Sequence, residues 1–302
     1  MKVVLCAPTG RAAKRMSETT GKEAKTIHRL LEIGKISDEE NFANVDYDIG
    51  LIDADIIIID EMSMVDIFLM NYIMKAISIG TKLVLVGDIN QLSSVGPGNV
   101  LKDMISSEII QTVSLNEIFR QAAKSKIIVN AHNVNNGESF IDSQGDDFFY
   151  INESNQEKIL YDVLTLCKDR LKKYGDYDFF KNIQVLTPTK KGTLGTKELN
   201  ISLQSVLNPE EENKLQKKIG DRFFRVGDRV MQVKNNYDIF WEKENENGTG
   251  IFNGEIGRVE NIDDVNKTIK IIFDDDKKAW YEFSELEQIE HSYCITIHKS
   301  QR

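Results

Sequence analysis

Four consecutive isoleucines, Ile56 to Ile59, run directly into Asp60 and Glu61, and this stretch constrains the chain more than any other. β-Branched side chains lose rotamer freedom in a helix and pack well on a pleated surface, so the run reads as a strand of a parallel sheet, buried on both faces. Its two carboxylates then stand at the strand's carboxyl end, where open α/β sheets place their ligands. A carboxylate pair there suits nucleotide hydrolysis: the first holds Mg²⁺ through water, and the second orients and deprotonates the attacking water. An Asp-Glu pair after a strand is also common as an exposed turn, so its neighbours have to carry the distinction.

The rest of the chain sets the frame. Its 302 residues suffice for two compact domains and a small insertion. Cys6, Cys167 and Cys294 lie far apart without a C-x-x-C pair, so neither a disulfide framework nor a zinc cluster is expected, and a reducing cytoplasm fits best. Apolar runs are strand-length and no basic-then-apolar leader opens the sequence, so no membrane partner is expected. A formal net charge of -10 argues against a protein that coats nucleic acid through bulk positive charge, while leaving room for a narrow groove that grips one strand. The acidic runs Asp38 to Glu40, Glu210 to Glu212 and Asp274 to Asp276 are expected in solvated loops.

Up to about residue 125, strand-like runs alternate with helical patterns, the signature of a parallel sheet covered by helices. Strands are expected at 3–7, 55–59 and 82–86, the last also buried, with helices opening at Arg11 and spanning 65–79. The acidic, weakly periodic segment 33–52 is expected to form a hairpin or a surface loop. From 126 the pattern repeats more weakly, with helices through Asn130 and over 157–174 and a strand at 183–186 that Pro188 ends. After about Ser205, short strands broken by Asn-Gly and acidic turns predict a small antiparallel barrel, and a buried-strand pattern returns at 293–297. The expected organisation is an α/β fold: one motor-like domain over 1–125, a second over 126–204 and 291–302, and a barrel over 205–290 inserted in it.

Three further motifs join the carboxylate pair. Gly87-Asp88-Ile89-Asn90-Gln91 follows the 82–86 strand, setting Asp88 and Gln91 at the same sheet edge, where a neutral Gln can report on a γ-phosphate. Pro8-Thr9-Gly10-Arg11 is a strand-to-helix turn whose N–H groups and Thr9 hydroxyl suit a phosphate; since it lies on a different strand from Asp60, a nucleic-acid backbone is the better fit. Thr26-Ile27-His28 can serve the same strand of nucleic acid. Arg120, just after Ile118-Phe119, can reach a γ-phosphate across a cleft. No G-x-x-x-x-G-K-[ST] occurs: Gly21-Lys22 lacks the earlier glycine and 192–197 has the wrong spacing. The sequence therefore predicts weak ATP binding, because β- and γ-phosphates have no cradle.

Together these motifs resemble superfamily 1 DNA helicases of the RecD/TraA type, relatives of the exodeoxyribonuclease V alpha subunit, from Ala-Pro-Thr-Gly-Arg-Ala-Ala at Ala7 to Thr-Ile-His-Lys-Ser-Gln at Thr296. The resemblance implies two RecA-like motor domains, the first lacking its N-terminal part, with a Src-homology-3-like barrel inserted in the second and a strand-separating pin at 33–52. It assigns Asp60, Glu61, Asp88, Gln91 and Arg120 to ATP and Mg²⁺. Pro8, Thr9, Gly10, Arg11, Thr26, His28, Thr187, Thr296, His298, Lys299 and Ser300 are assigned to single-stranded DNA. It further implies 5′ to 3′ movement, unwinding at a duplex junction, work in repair or recombination, and helicase-nuclease partner subunits of unknown identity. With the phosphate loop and a terminal arginine motif missing, both ends look cut from a longer helicase, and the piece alone is expected to lack ATPase activity. The alternative is a non-catalytic nucleic-acid-binding or scaffold protein on a decayed helicase fold, against which the retained Asp60, Glu61, Gln91 and Arg120 weigh.

Overall fold

The computed structural model describes residues 1–33, 49–115, 125–141, 147–244 and 246–301. The chain divides into two compact units, Met1–Pro8 with Met16–Glu153, and Thr9–Arg15 with Ser154–Arg302. The change of pattern near residue 125 and this division do not coincide.

In the first unit, β1 (Val3–Ala7), β2 (Ala24–Thr26), β3 (Ile56–Ile59) and β4 (Lys82–Leu85) form a parallel sheet in the order β2-β1-β3-β4. The isoleucine run is the interior strand β3, with Ile57 and Ile59 fully buried. Each contributes about 1.5–3 kcal/mol relative to exposure. Crossover helices follow, since parallel neighbours cannot be joined by tight turns. α1 (Gly10–Thr20), whose residues up to Arg15 are counted with the second unit, links β1 to β2, and the short α2 (Ile27–Leu30) follows β2. α3 (Ile67–Ala76) starts at Asp66, whose carboxylate accepts the Leu69 N–H at 2.8 Å, and turns Met70, Ile73 and Ala76 inward at helical spacing. α4 (Val100–Ser106) adds Val100 and Leu101 to the same core, and α5 (Lys126–Asn135) completes the unit's helices among the described residues.

One strand departs from expectation. Instead of being buried, β4 stands at the end of the sheet among the described residues, pairing there with β3 alone, and Val84 and Val86 are 43% and 46% exposed. Exposure alternates along it, Lys82, Val84 and Val86 against half-buried Leu83 and Leu85, so one face of the strand lies open. The segment 33–52 lies mainly outside the described residues.

In the second unit, α6 (Gln156–Thr165) runs through a π-helical turn at Leu166–Arg170 into α7 (Leu171–Gly175), so the helix expected at 157–174 is interrupted in register but not in course. α8 (Phe179–Asn182), β5 (Val185–Thr187) and α9 (Thr196–Leu207) follow. β5 pairs in parallel with β15 (Cys294–Thr296), which leads into α10 (Ile297–Gln301). The residues between them supply the antiparallel part. β6 (Gln216–Ile219) and β7 (Arg222–Arg225) make a hairpin. β8 (Arg229–Gln232), β9 (Asn236–Lys243), β10 (Glu246–Ile251), β11 (Ile256–Asp263), β12 (Thr268–Phe273), β13 (Lys278–Glu282) and β14 (Ile289–His291) form a seven-stranded sheet in the order β10-β9-β13-β12-β11-β8-β14. Alternation is clean on β12 and β13, where Ile269, Ile271, Phe273, Ala279 and Tyr281 point inward.

A buried polar cluster joins this sheet to the α/β part of the same unit. Asp228 is 0% exposed and accepts from Gln204 Nε2 at 2.7 Å, Asn208 Nδ2 at 2.7 Å, the Tyr293 hydroxyl at 2.8 Å and the Arg225 N–H at 2.7 Å, with His291 Nε2 at 3.1 Å. Burial works to raise the Asp228 carboxyl pKa, but the hydrogen bond and charge of His291, with the Arg225 and Asn208 donors, hold it below the usual carboxylate range. Next to it, Arg229 Nη1 donates to the carbonyls of Phe179 at 3.1 Å and Ile183 at 2.7 Å, satisfying the carboxyl end of α8.

Candidate functional site

Register decides which turns share an edge. Ile59 of β3 pairs with Leu85 of β4, so the Asp60-Glu61 turn and the Gly87-to-Gln91 turn leave neighbouring strand ends on the same side of the sheet. Asp60 is half-buried and accepts the Glu61 N–H at 2.9 Å, and its own N–H donates to the Cys6 carbonyl. Glu61 takes a left-handed backbone, φ 55°, that an ordinary residue adopts only when its surroundings hold it there. Those surroundings are the next turn, Met62–Met64, whose Met62 N–H donates to the Val86 carbonyl at 3.0 Å.

Gly87 has a structural reason beyond loop freedom. A Cβ there would lie 2.9 Å from Leu101 Cδ2 and 3.0 Å from the Met62 nitrogen, so the glycine lets the Asp88 turn close against the Glu61 turn. Asp88 Oδ1 accepts the Asn90 N–H at 2.9 Å and its carbonyl accepts the Gln91 N–H at 3.3 Å, which leaves Asp88 and Gln91 exposed on one tight turn. Mg²⁺ keeps several waters and takes one or two carboxylates plus substrate phosphate, so the Asp60 and Glu61 donor set fits it. Among the described residues no three His, Cys, Asp or Glu form a metal-holding group. All three thiols are buried and pushed up, Cys6 and Cys294 to about 12 and Cys167 to about 11, so none is poised as a nucleophile.

The residues assigned to DNA fall into several sets. Ala7 pairs with Thr26, so the turns after β1 and β2 leave adjacent strand ends. Thr26 is buried and caps α2, accepting the Arg29 N–H at 3.2 Å, and His28 follows it half-buried on α2. Thr9 Oγ1 accepts the Ala12 N–H at 3.3 Å, so part of its acceptor capacity is used within the helix start. In the second unit, Thr187 and Thr296 are register partners on β5 and β15, and both hydroxyls turn inward. Thr187 donates to the Leu194 carbonyl at 2.6 Å and Thr296 accepts the Lys299 N–H at 3.3 Å; they shape the turns instead of facing outward. His298 and Ser300 are exposed on α10, and the Ser300 hydroxyl donates to the Ile297 carbonyl. Arg120 lies outside the described residues.

Several participants carried no sequence signal. Asn253, in the turn between β10 and β11, accepts from Lys299 Nζ at 3.3 Å. Phe252 beside it packs on Gly10, where a Cβ would come within 2.9 Å of the ring side chain. Asp275, expected in a solvated loop, is instead half-buried and paired with Lys14 and with Lys277, the latter at 3.3 Å. Only the neighbours brought by folding distinguish it from Asp274 and Asp276, which are exposed. None of the chain's helices, among the described residues, is long and apolar enough to cross a membrane.

The sequence profile of an AAA domain family matches residues 1–146, and that of the "ATP-dependent RecD-like DNA helicase SH3 domain" matches residues 199–273. The ATP-dependent RecD2 DNA helicase of Deinococcus radiodurans is 33% identical over 301 residues, covering 100% of this chain and 38% of that protein. The RecBCD enzyme subunit RecD of Buchnera aphidicola subsp. Schizaphis graminum is 28% identical, covering 100% of this chain and 59% of its own length. The chain thus spans less than two thirds of the length of each of these relatives. In fold it is similar to the Pif1 helicase from Bacteroides, solved in complex with ADP-AlF3 and single-stranded DNA, with a TM-score of 0.54 at 19% identity over 99% of this chain and 74% of that one. A second structure, Bacteroides Pif1 bound to single-stranded DNA, matches with a TM-score of 0.52 at 18% identity, over the same shares of the two chains. The fold is accordingly a helicase-like α/β arrangement with a Src-homology-3-like domain. With its motifs in family order, the chain is similar to the superfamily 1 DNA helicases of the RecD type.

Proposed function

We propose that this chain supplies the magnesium-and-water half of an ATP-driven motor that translocates on single-stranded DNA, 5′ to 3′, and opens duplex at a junction. The observation that carries the reading is the register of β3 and β4, which sets Asp60 and Glu61 beside Asp88 and Gln91 at one carboxyl edge. Bound ATP and Mg²⁺ would supply the phosphoryl group and its charge neutralisation. Asp60 is the carboxylate to hold the metal through water, and Glu61 the one to orient the attacking water and take its proton. The Asp88 turn would place the Gln91 amide where an intact γ-phosphate differs from a lost one, with Arg120 as the arginine that stabilises transition-state charge.

The same reading has the chain acting as part of a longer polypeptide. A G-x-x-x-x-G-K-[ST] loop would cradle the β- and γ-phosphates, and this sequence contains none, so the 302 residues by themselves are expected to be inactive on ATP. The domain limits proposed are 1–125, 126–204 with 291–302, and the barrel at 205–290. Pro8 to Arg11, Thr26, His28 and the Thr296-to-Ser300 segment would follow the DNA backbone, with Thr187 and Thr296 shaping turns for their neighbours. A cytoplasmic setting in DNA repair or recombination is part of this proposal.

DNA-stimulated ATP hydrolysis tests it, measured in this chain and in one extended by the phosphate loop of a RecD-type relative. The extended chain should hydrolyse ATP and the short one should not. Hydrolysis by the 302-residue chain at a helicase-like rate would overturn the claim about the loop.

A further inference from the structure

We infer that the acidic turn between β12 and β13, Asp274 to Asp276, acts as a built-in competitor of nucleic-acid phosphate at the start of α1. The inference rests on the reading that the Pro8-to-Arg11 turn and the basic side chains just after it meet DNA. The side chains of the exchange, Arg11, Lys14, Asp274, Asp275 and Lys277, all belong to the second unit, which includes Thr9–Arg15.

The geometry is that of a phosphate site already holding a carboxylate. The Lys14 ammonium donates to Asp275 Oδ2, and the charges of Arg229 and Arg11 act favourably on the adjacent Asp274 carboxylate. Asp275 is not an adventitious surface partner. Its Oδ2 also receives the Lys277 ammonium at 3.3 Å, and Lys277 is buried, bonded to Glu255 Oε2 at 3.1 Å and set over the Trp241 ring at 5.1 Å. Glu255 in turn accepts the Phe252 N–H at 3.1 Å, and Phe252 packs on Gly10. The carboxylate is therefore fixed by its own sheet before it meets Lys14.

That second partner makes the exchange easy in chemical terms. When a phosphate takes Lys14, Asp275 keeps Lys277 and is not left as an unpaired half-buried charge, the situation that makes breaking an ion pair expensive. Lys14 likewise passes from one oxyanion to another. Asp275 is held below the ordinary carboxylate range, with the Lys14 and Lys277 hydrogen bonds and charges outweighing its burial, so the competitor stays charged at neutral pH. The turn should weaken binding to a single strand and sharpen its dependence on how many phosphates are presented at once.

The test is binding of a fluorescein-labelled oligothymidine to the full 302-residue chain, read by anisotropy across a salt series. Asp275→Asn should tighten binding roughly two- to fivefold, the range of a partly exposed ion pair. Asp276→Asn removes the same charge from an exposed neighbour, at a left-handed φ of 66° that Asn tolerates, and should change affinity far less. Equal tightening by the two variants, or none by Asp275→Asn, would overturn the inference. Lys14→Ala should weaken binding and reduce the salt slope by roughly 0.7. If Lys14→Ala changes neither, the DNA reading of this turn fails instead.

Should Asp275→Asn prove misfolded by circular dichroism, the carboxyl ¹³C shift of Asp275 in the unsubstituted chain, followed as the oligothymidine is added, decides the matter. It should move as Lys14 leaves Asp275 for phosphate. An unchanged shift at saturation would refute the competition.

Discussion

Asp60 and Asp228 are both aspartates at the mouth of a strand, and their surroundings are opposite. Asp60 ends β3 half-buried, beside a residue held at φ 55° and a turn that keeps Asp88 and Gln91 exposed. Asp228 precedes β8 fully buried, with amide, hydroxyl, imidazole and backbone donors closing on both of its oxygens. A carboxylate saturated by its own protein has nothing left for a ligand, and it serves to join the sheet to α9 and β15. One at an open sheet edge, backed by backbone strain, keeps capacity for a cation and water. On the proposed function, burial with full satisfaction goes with a structural role, and partial satisfaction at a carboxyl edge goes with the metal-and-water role.

The widest separation between the two should come from substitution. Asp228→Ala orphans several buried donors and is expected to remove about 3–5 kcal/mol of stability, measured by urea unfolding. Asp60→Ala in the same assay should change stability by less than about 1 kcal/mol. Were both equally destabilising, the distinction between structural and chemical aspartates would collapse. In a chain extended by the phosphate loop, Glu61→Gln should abolish DNA-stimulated ATP hydrolysis while leaving the urea midpoint in place. Retained hydrolysis would remove Glu61 from its assigned role.

Gly87→Ala probes the support of the open edge. The added Cβ meets Leu101 and the Met62 nitrogen, so a loss of about 1–3 kcal/mol is expected, with hydrolysis by the extended chain falling as the Asp88 turn is pushed outward. Acid gives a smaller and more gradual signal. Because the folded pKa of Asp228 lies below the unfolded value of about 3.9, its stabilisation is fully present above that value and is lost as pH falls through the folded pKa. Urea midpoints measured from pH 6 down to pH 3 should therefore drop mainly below about pH 4. If Asp228→Asn folds, part of that drop should be missing from it.

Much of the first unit's sheet was legible because its signals are local. The isoleucine run and the flanking turns each follow from a few adjacent side chains, and they set β3 and the carboxylate turn; the helix expected over 65–79 came through shorter, as Ile67–Ala76 begun by the Asp66 cap. The open face of β4 was not legible. Lys-Leu-Val-Leu-Val reads as a buried strand whether or not another layer covers it, and cover is a property of the fold around the sheet. The helix expected at 157–174 came through with a π-helical turn, a local shift of hydrogen bonding that apolar periodicity does not report. Arg120 and most of 33–52 fall outside the described residues.

The sequence by itself determined the motif order, the strand that carries Asp60 and Glu61, and the lack of a phosphate-gripping loop, since each depends on residue types at fixed short spacing. Tertiary structure alone decided that the Asp60 and Asp88 turns are neighbours, that Thr187 and Thr296 turn inward, and that Asp275 differs from the aspartates on either side of it. Charge and burial are set by what a side chain meets across the fold, and residues far apart in the chain, such as Lys14 and Asp275, leave no mark in its local pattern.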